Sequence, residues 1–321
     1  MAGSHAIDTL TLARLPSGVP VRTRLHRYEG AADGPTLYVQ AAQHGREVNG
    51  VEVLRRFHER VPLEDLQGTV FAVPVANPLT FDRVSYTVPE VLDSVTPNMN
   101  RVWPGDADGT LHERMAARLW SVVETADALV DLHTGSPAML PHVVYLEGHE
   151  PSRALGAAFG TDVLLSEQSD EDAPQEWHRR SFGGKLRVAA TDAGIPAITP
   201  ELAHSRTVVE DVVETGVDGL LNVCRHLDML PGDPIQHDPT LARNHLGQIT
   251  AAESGLFVPE HSLELGQHVP RACKVGTVFH PTRYEPHQRA TTEWDGILLA
   301  LTREATVVAG DKLATVAIER Q

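Results

Sequence analysis

The sequence contains little cysteine. Two cysteines, Cys224 and Cys273, occur among its 321 residues, so at most one disulfide bond can form. Small secreted scaffolds depend on several such cross-links, and this class is therefore excluded. A chain of this length has no need of a cross-link, because about 300 residues bury roughly three quarters of the surface that the unfolded chain exposes. We expect a protein of the reducing cytoplasm.

Basic residues and long apolar runs are also scarce. Lys and Arg number 27 against 43 Asp and Glu, which gives a formal net charge of −16. Proteins that bind nucleic acid or an anionic membrane surface normally carry an excess of basic residues. No apolar run approaches the ~18–20 residues of a membrane-spanning helix, and the polar N-terminus lacks the apolar core of a signal peptide. We expect neither nucleic acid nor a membrane as a partner. The oligomeric state is left open, a homo-oligomer included.

Hydrophobic patterns alternate between strand and helix up to residue 230. Segment 36–42 is a short apolar run typical of a buried strand, whereas 48–60 has apolar residues three and four apart, which is typical of an amphipathic helix. The same reasoning predicts strands at 69–75, 128–132 and 195–199, helices at 110–125, 151–159, 184–193 and 208–230, and polar loops at 77–108 and 163–182. This alternation predicts an α/β sheet layered by helices.

The pattern changes at 231–234, which reads Pro-Gly-Asp-Pro. Beyond it, short apolar segments are separated by turn residues, and no long helical period appears. We therefore predict two domains, an α/β domain at 1–230 and a small β-rich domain at 231–321. The length agrees with this division, since domains average roughly 150 residues.

Two strand ends carry residues that can bind a metal ion. His44 and Glu47 follow the first predicted α/β strand, and His133 ends the strand at 128–132. Parallel strands deliver such residues to one edge of the sheet, and a catalytic zinc commonly has three protein ligands, with two His and one Glu among the known sets. Asp131 lies on the same strand face as His133 and would orient it as a hydrogen-bond acceptor. A surface histidine and a helix-starting glutamate are the ordinary alternative for 44–47.

A third strand end carries Glu201, after the apolar segment 195–199. Water bound to zinc needs a nearby carboxylate that takes up its proton and passes it to the leaving nitrogen. We predict Glu201 as this general base, although most glutamates are simply exposed on the surface.

The loop at 77–108 contributes three further candidates. Arg101 can bind a substrate carboxylate through its two-pronged guanidinium group, and Asn100 can add a hydrogen bond. Arg83 of the same loop can polarise the carbonyl of the bond to be cleaved. Solvated loop cations are the alternative interpretation for both arginines.

Five motifs in this order resemble the succinylglutamate desuccinylase/aspartoacylase family of the zinc carboxypeptidase-like group. They are His-Gly-Arg-Glu at 44–47, Asn-Pro at 77–78, Asn-Arg-Val-Trp-Pro-Gly at 100–105, Asp-Leu-His-Thr-Gly at 131–135 and Thr-Pro-Glu-Leu at 199–202. The tail, with 255–259 and 294–298, is similar to the β-rich C-terminal domain of that family. The sequence departs from the family pattern at Pro200 and at Ala203, where glycine is common.

The resemblance implies a mixed twisted sheet flanked by helices, with one zinc ion per chain. It assigns zinc binding to His44, Glu47 and His133, and the general base to Glu201. It further assigns the substrate carboxylate to Asn100 and Arg101, and carbonyl polarisation to Arg83. The segment 177–180 and Tyr284 are candidates without an assigned role.

These residues together predict a zinc-dependent amidohydrolase that removes a short acyl group from an N-acyl amino acid by attack of zinc-bound water. The alternatives are a zinc carboxypeptidase or peptide amidase acting on longer substrates, and a zinc-binding pseudoenzyme that serves as an interaction module. The identities of the acyl group and the amino acid are left open.

Overall fold

The computed structural model describes residues 2–135, 138–169, 173 and 175–320. The first eight strands are β1 (Ser4–Arg14), β2 (Pro20–Glu29), β3 (Ala32–Ala41), β4 (Gln67–Val73), β5 (Ala128–Gly135), β6 (His142–Leu146), β7 (Val163–Glu167) and β8 (Ala197–His204). The later strands are β9 (Thr240–Thr250), β10 (Gly255–Pro259), β11 (His268–Val269), β12 (Lys274–Phe279), β13 (Pro286–Thr291), β14 (Gly296–Leu301), β15 (Thr306–Val307) and β16 (Lys312–Glu319). The helices are α1 (Asn49–Arg60), α2 (Pro78–Phe81), α3 (Leu111–Val123), α4 (Glu150–Phe159), α5 (Gln175–Arg179), α6 (Leu186–Asp192) and α7 (Glu210–His226), with short 3-10 turns at Met99–Arg101 and Phe182–Gly184.

Within these residues the strands form a 12-stranded mixed sheet in the order β1-β2-β4-β3-β5-β8-β6-β7-β9-β16-β14-β11. A second sheet has the order β13-β12-β10-β15. In the large sheet β4, β3, β5 and β8 run parallel to one another, whereas β6 is antiparallel to β8. The carboxyl ends of β3, β5 and β8 therefore meet at one edge, where α/β proteins bind their ligands.

Helices cover both faces of the central strands. In β3, Leu37 and Val39 belong to one buried core, which includes residues of α1, α4 and α7, while Tyr38 belongs to another, which includes residues of α3 and α6. Side chains alternate between the faces of a strand, so a strand buried on both faces is apolar nearly throughout. This is why β5 reads Ala-Leu-Val-Asp-Leu-His-Thr with every one of these residues buried.

The predicted mixed sheet flanked by helices is confirmed, and each helix and strand predicted between 36 and 230 has its counterpart. The ends differ by a few residues, as at 208–230, where α7 spans Glu210–His226. The start of α3 has a local cause, because Thr110 and Glu113 bond to each other's backbone N–H groups in a capping box.

Four strands among the first 230 residues were not predicted. Strands β1 and β2 form an antiparallel pair at the edge of the sheet, and β6 and β7 lie beyond β8. The prediction of a polar loop over 163–182 is wrong at its start, because Val163–Glu167 is a fully buried strand between β6 and β9, and wrong again at Gln175–Arg179, which is helix α5. The loop predicted at 77–108 likewise contains the short helix α2. Five residues are too few for a reliable period, so neighbouring strands rather than local sequence define β7.

The C-terminal segment is rich in strands, as expected. Strand β9 pairs with β7, so four C-terminal strands continue the large sheet. The other C-terminal strands form the second sheet. The two groups of strands share a separate buried core, which includes Val316 of β16 and Phe257 of β10. The division at residue 230 into two domains remains a prediction. No helix in the described parts of the chain is long and apolar enough to cross a membrane.

Asn49 connects α1 with the region after β8. It is fully buried, its Nδ2 donates to the Leu202 carbonyl at 2.8 Å, and its Oδ1 accepts from the Val209 N–H at 3.0 Å. Asn49→Ala would leave both backbone groups unpaired, each at a cost of about 1–3 kcal/mol. We expect a fall in the free energy of unfolding of that order in urea titrations. Glu59→Ala on the exposed face of α1 is the control and should change stability by less than about 0.5 kcal/mol. An equally small effect of Asn49→Ala would contradict this account.

Candidate active site

Three predicted ligands lie together at the carboxyl edge of the sheet. His44 and Glu47 follow β3, where Ala42 has a φ of 51° that turns the chain away from the strand, and His133 lies in β5. One potential ligand atom of each lies within 4.8 Å of the others, and all three residues are buried. The sequence prediction that these side chains converge is in agreement with this geometry.

Hydrogen bonds orient both imidazoles toward Glu47. The Nε2 atom of His44 lies 3.1 Å from Asn98 Oδ1, and that of His133 lies 2.9 Å from Asp131 Oδ2. Both acceptors require a proton on Nε2, so the Nδ1 atoms face the Glu47 oxygens, at 2.8 Å and 2.9 Å. Two imidazole nitrogens and a carboxylate that face one another at these distances need positive charge among them, which a proton on His133 or a metal ion provides. The donor set therefore fits a metal ion.

The charge of Glu47 also favours a bound cation. Burial alone would raise the pKa of its carboxyl group, but the imidazoles of His44 and His133 outweigh burial and hold that pKa at about 2. Conversely, burial lowers the pKa of His133, and the carboxylates of Asp131 and Glu47 outweigh it and raise that pKa well above the usual value. The pocket thus holds fixed negative charge and favours a cation.

A buried hydrogen-bond network supports Asp131 from behind. Its Oδ1 accepts from Gln40 Nε2 at 3.0 Å, and its Oδ2 accepts from Gln43 Nε2 at 2.8 Å. Tyr38 donates its hydroxyl to Gln40 at 2.9 Å, and Trp103 donates Nε1–H to Gln43 Oε1 at 2.9 Å. Gln43 therefore links the carboxylate that orients His133 to the loop that bears Arg101. Gln43 was not among the residues predicted from the sequence, although it directly precedes His44.

Glu201 lies beside the three ligands. It is in β8, where its Cα is the register partner of His133 in β5. Burial raises the pKa of its carboxyl group to about 7, and the negative charge of Glu47 adds to the rise, while His133 and Lys185 oppose it. A carboxylate with such a pKa can accept and return a proton near neutral pH.

Arg101 is connected to this site through Tyr86. Burial lowers the pKa of its guanidinium, which interacts with Tyr86 and lies 4.7 Å from the centre of the Phe182 ring. Tyr86 in turn stacks on His44 with ring centres 3.8 Å apart. The side chain of Asn100 is already engaged, because its Oδ1 accepts from the Leu186 N–H at 3.0 Å.

Comparisons with known proteins agree with this architecture. A family model described as the succinylglutamate desuccinylase/aspartoacylase catalytic domain matches residues 33–227. This chain belongs to that family. It is a deacylating hydrolase. A curated relative, the N-alpha-acetyl-L-2,4-diaminobutyric acid deacetylase of Halomonas elongata, is 29% identical over 302 residues, which cover 89% of this chain and 82% of the relative.

Solved structures show the same fold. The product-bound ectoine utilization protein EutE (DoeB) from Ruegeria pomeroyi has a TM-score of 0.83 and 22% identity, over 98% of this chain and 95% of the other. A succinylglutamate desuccinylase/aspartoacylase from Rhodobacter sphaeroides has a TM-score of 0.82 and 23% identity, over 99% and 96%. The match to the family model over 33–227 confirms the family resemblance inferred from the five motifs.

The two departures from the family pattern fit the strand. Pro200 lies within β8 opposite Val143, and the strand continues through it, so Glu201 stays in register with His133. Ala203 has a φ of 61°, in the left-handed region that favours glycine. This explains why a family member would commonly carry glycine there.

Three sequence candidates make no hydrogen bond or ion pair with the metal-ligand cluster among the described residues. Arg83 is exposed, donates Nη1 to the Leu79 carbonyl at 3.1 Å, and has no hydrogen bond or ion pair to the cluster among the described residues. Trp177 is buried against Phe182, whereas 178–180 is exposed. Tyr284 is 83% exposed in the turn between β12 and β13. The role of Arg83 therefore remains a prediction without support from its contacts.

Gln43 provides a test of the network behind the metal-ligand cluster. Gln43→Leu would remove a donor from Asp131 and leave the buried Trp103 N–H unpaired. Hydrogen-bond partners of metal ligands typically contribute about 10–100-fold to metal affinity. We expect the affinity for Zn²⁺, measured by competition with a chelating dye, to fall by that factor. The exposed Gln236→Leu is the matched control, and an unchanged affinity in Gln43→Leu would show that the network does not orient His133.

Proposed function

We propose that this family member is a zinc-dependent amidohydrolase that removes a short acyl group from an N-acyl amino acid. The observation that carries the proposal is the convergence of His44, Glu47 and His133 beside a further carboxylate, Glu201, that belongs to a separate strand. A His2Glu set with a neighbouring acid is one of the known donor sets of catalytic zinc. The curated relative is named as a deacetylase of an N-acetylated amino acid, which supports the substrate class.

The chain's own residues provide the parts that amide hydrolysis needs. When bound, zinc lowers the pKa of a water molecule towards ~7 and polarises the acyl carbonyl. Asn98 and Asp131 hold the two imidazoles in the tautomer that ligates. Glu201, with its pKa near 7, accepts the proton of the attacking water and delivers it to the leaving nitrogen.

Arg101 is proposed to bind the carboxylate of the amino acid. Its guanidinium is mostly buried, and no carboxylate lies within ion-pair distance of it in the part of the chain that the structure describes. A buried charge without a counter-ion is costly, and a substrate carboxylate would remove that cost. Asn100 Nδ2 lies 3.3 Å from His133 Nε2, which already directs its proton to Asp131, so this contact is not a donation from the amide to the imidazole. The substrate role of Asn100 thus remains a prediction.

The first test separates metal binding from proton transfer. Glu201→Gln keeps the size of the side chain but cannot accept a proton, so we expect zinc content to stay at one ion per chain while kcat on N-acetyl amino acids falls about 10²–10⁴-fold. His133→Ala is the matched comparison, and this variant should no longer bind zinc. Metal analysis and turnover are measured on the same preparations, with a dipeptide included as substrate for the peptidase alternative.

Two results would refute these assignments. Full zinc content in His133→Ala would remove this residue from the ligand set. Loss of zinc in Glu201→Gln would make Glu201 a ligand instead of the base.

The second test concerns Arg101. Arg101→Lys keeps the charge but loses the two-pronged geometry that matches a carboxylate. On the scale of truncated buried charge pairs, kcat/KM should fall by an amount equivalent to about 2–5 kcal/mol. Arg118→Lys on the exposed face of α3 is the control. Equal kcat/KM values for Arg101→Lys and the unaltered enzyme would exclude a carboxylate-binding role.

A further inference from the structure

A second histidine flanks Glu201, on the side opposite His133. His142 begins β6, is 4% exposed, and its Cα is the register partner of Glu201 in β8. His133 of β5 has the same relation to Glu201 on the other side. Directly opposite residues of neighbouring strands lie on one face of the sheet, with Cβ atoms about 4.5–5.5 Å apart in an antiparallel pair. Glu201 therefore lies between two histidines, of which His142 is not one of the three predicted ligands.

The neighbours of His142 place it on the face that carries the site. Val143, the next residue, points to the opposite face and belongs to the core that includes residues of α1 and α7. Leu146, four residues after His142 and so on its face, belongs to one buried cluster with Phe182. The Phe182 ring is the one that the Arg101 guanidinium contacts. His142 and Arg101 thus lie on the same side of the sheet.

The imidazole of His142 also leans towards the ligand-binding edge. Its Nδ1 lies 2.9 Å from the carbonyl of Leu140, two residues towards the N-terminus. Because β6 runs antiparallel to β8, this direction leads to the carboxyl edge of β8, where His44 and Glu47 also lie. The backbone of Leu140 is itself held by the sheet, since its N–H donates to the Leu299 carbonyl at 2.7 Å.

The contact with Leu140 decides which nitrogen of His142 carries the proton. A carbonyl can only accept, so the proton lies on Nδ1 and Nε2 has a bare lone pair. Burial lowers the pKa of His142 to about 4, so the ring is neutral at neutral pH. No residue in the described part of the chain makes a hydrogen bond to Nε2. His142 is therefore a neutral hydrogen-bond acceptor with an unused lone pair.

The carboxylate of Glu201 likewise makes no hydrogen bond to the described residues. Lys185 lowers its pKa from a distance, but the Lys185 ammonium binds Glu167 at 2.6 Å. Buried polar groups nearly always have partners, so a ligand that offers one to each of these neighbours fits the pair. The amide to be cleaved does so, because its N–H is a donor and its nitrogen receives the proton that Glu201 carries.

We propose that Nε2 of His142 accepts the N–H of the amide to be cleaved and thereby positions the leaving nitrogen for protonation by Glu201. This inference rests on the proposed deacylase function and adds a substrate-binding residue to it. After water has attacked the carbonyl carbon, the nitrogen bears one hydrogen and one lone pair. With the hydrogen held by His142, the lone pair is directed to Glu201.

The proton balance of this step is closed. Glu201 takes a proton from the attacking water and gives it to the nitrogen lone pair, and the C–N bond then breaks with its electrons on nitrogen while the carbonyl forms again. His142 keeps its Nδ1 proton throughout. It acts on orientation alone, so its role differs from that of the general base.

An ester isolates this contact, because oxygen replaces the N–H and leaves Nε2 nothing to accept. The experiment measures kcat/KM of the zinc-loaded enzyme for N-acetylaspartate and N-acetylalanine and for their ester counterparts, O-acetylmalate and O-acetyllactate. His142→Leu removes the acceptor at similar size. We expect it to lower kcat/KM about 10–100-fold on the amides, the scale of a buried donor without a partner, and much less on the esters. His142→Gln keeps an acceptor oxygen and should restore part of the amide-to-ester ratio.

Controls separate this role from stability and metal binding. His268→Leu replaces a histidine of β11 whose side chain is 61% exposed, and the amide-to-ester ratio should not change. Zinc content should be the same in all variants. Nitrogen-15 NMR of the imidazoles, assigned by loss of the signal in His142→Gln, should show the Nδ1–H form of His142 at pH 7. In Glu201→Gln, which turns over slowly, N-acetylaspartate should shift the Nε2 resonance upfield and O-acetylmalate should not.

Two outcomes would overturn the role of His142. One is an equal loss on amides and esters in His142→Leu, which would make the residue purely structural. The other is a His142 ring that is protonated on Nε2 at pH 7, since it would then have no lone pair to offer there. This NMR result needs no turnover and still decides if His142→Leu does not fold. A wild-type enzyme that cleaves none of the amides while His142 has the Nδ1–H form and responds to N-acetylaspartate would count against the proposed function alone.

Discussion

The site depends on a buried carboxylate that faces two imidazoles. Glu47 has His44 Nδ1 at one oxygen and His133 Nδ1 at the other, and this holds only while β3 and β5 lie side by side with their carboxyl ends level. Each imidazole is fixed at its far nitrogen by a separate acceptor, Asn98 or Asp131. The arrangement thus concentrates negative charge and lone pairs at one buried point, and the other charged groups of the site are disposed around it.

The two sides of the site differ in electrostatic character. On the side of Glu201 and Asp131, the carboxylates favour the binding of a cation. Burial raises the pKa of one of them, Glu201, which makes it a suitable proton acceptor. On the side of Arg101 and Lys185, guanidinium and ammonium groups lie against Phe182. An N-acyl amino acid with negative charge at one end and a reactive amide at the other matches this polarity. A strongly acidic protein, with a net charge of −16, needs such a local reversal to hold an anion.

The loop at 77–108 is long and irregular, yet much of it is tied to the sheet. Trp103 bonds to Gln43 behind the metal-ligand cluster, Asn98 bonds to His44, and Tyr86 stacks on the same histidine. The loop is therefore part of the metal-ligand cluster's support as well as a source of substrate-binding groups. This dual use explains how an irregular segment can position Arg101 with the accuracy that a carboxylate contact requires.

The sequence by itself determined the alternating strands and helices, the three residues that converge, and the carboxylate Glu201 beside them, which the structure places within β8. It could do so because apolar periodicity defines a sheet, and the ends of parallel strands must meet at one edge. Glu167 was not singled out, because its strand lies within a segment that was predicted as a polar loop. Strands β6 and β7 were too short for a pattern to reveal.

Only the tertiary structure decided which partners these residues have. Gln43 and Trp103 are far apart in sequence, as are Glu167 and Lys185, and nothing in their local patterns links them. Arg83 shows the converse, since a residue type suited to the chemistry lies exposed and bonded to the backbone of its own helix region. The positions of metal-binding side chains at strand ends can be predicted from the order of strands and helices. Their hydrogen-bond and ion-pair partners depend on how the loops pack. That packing is a property of the whole folded chain.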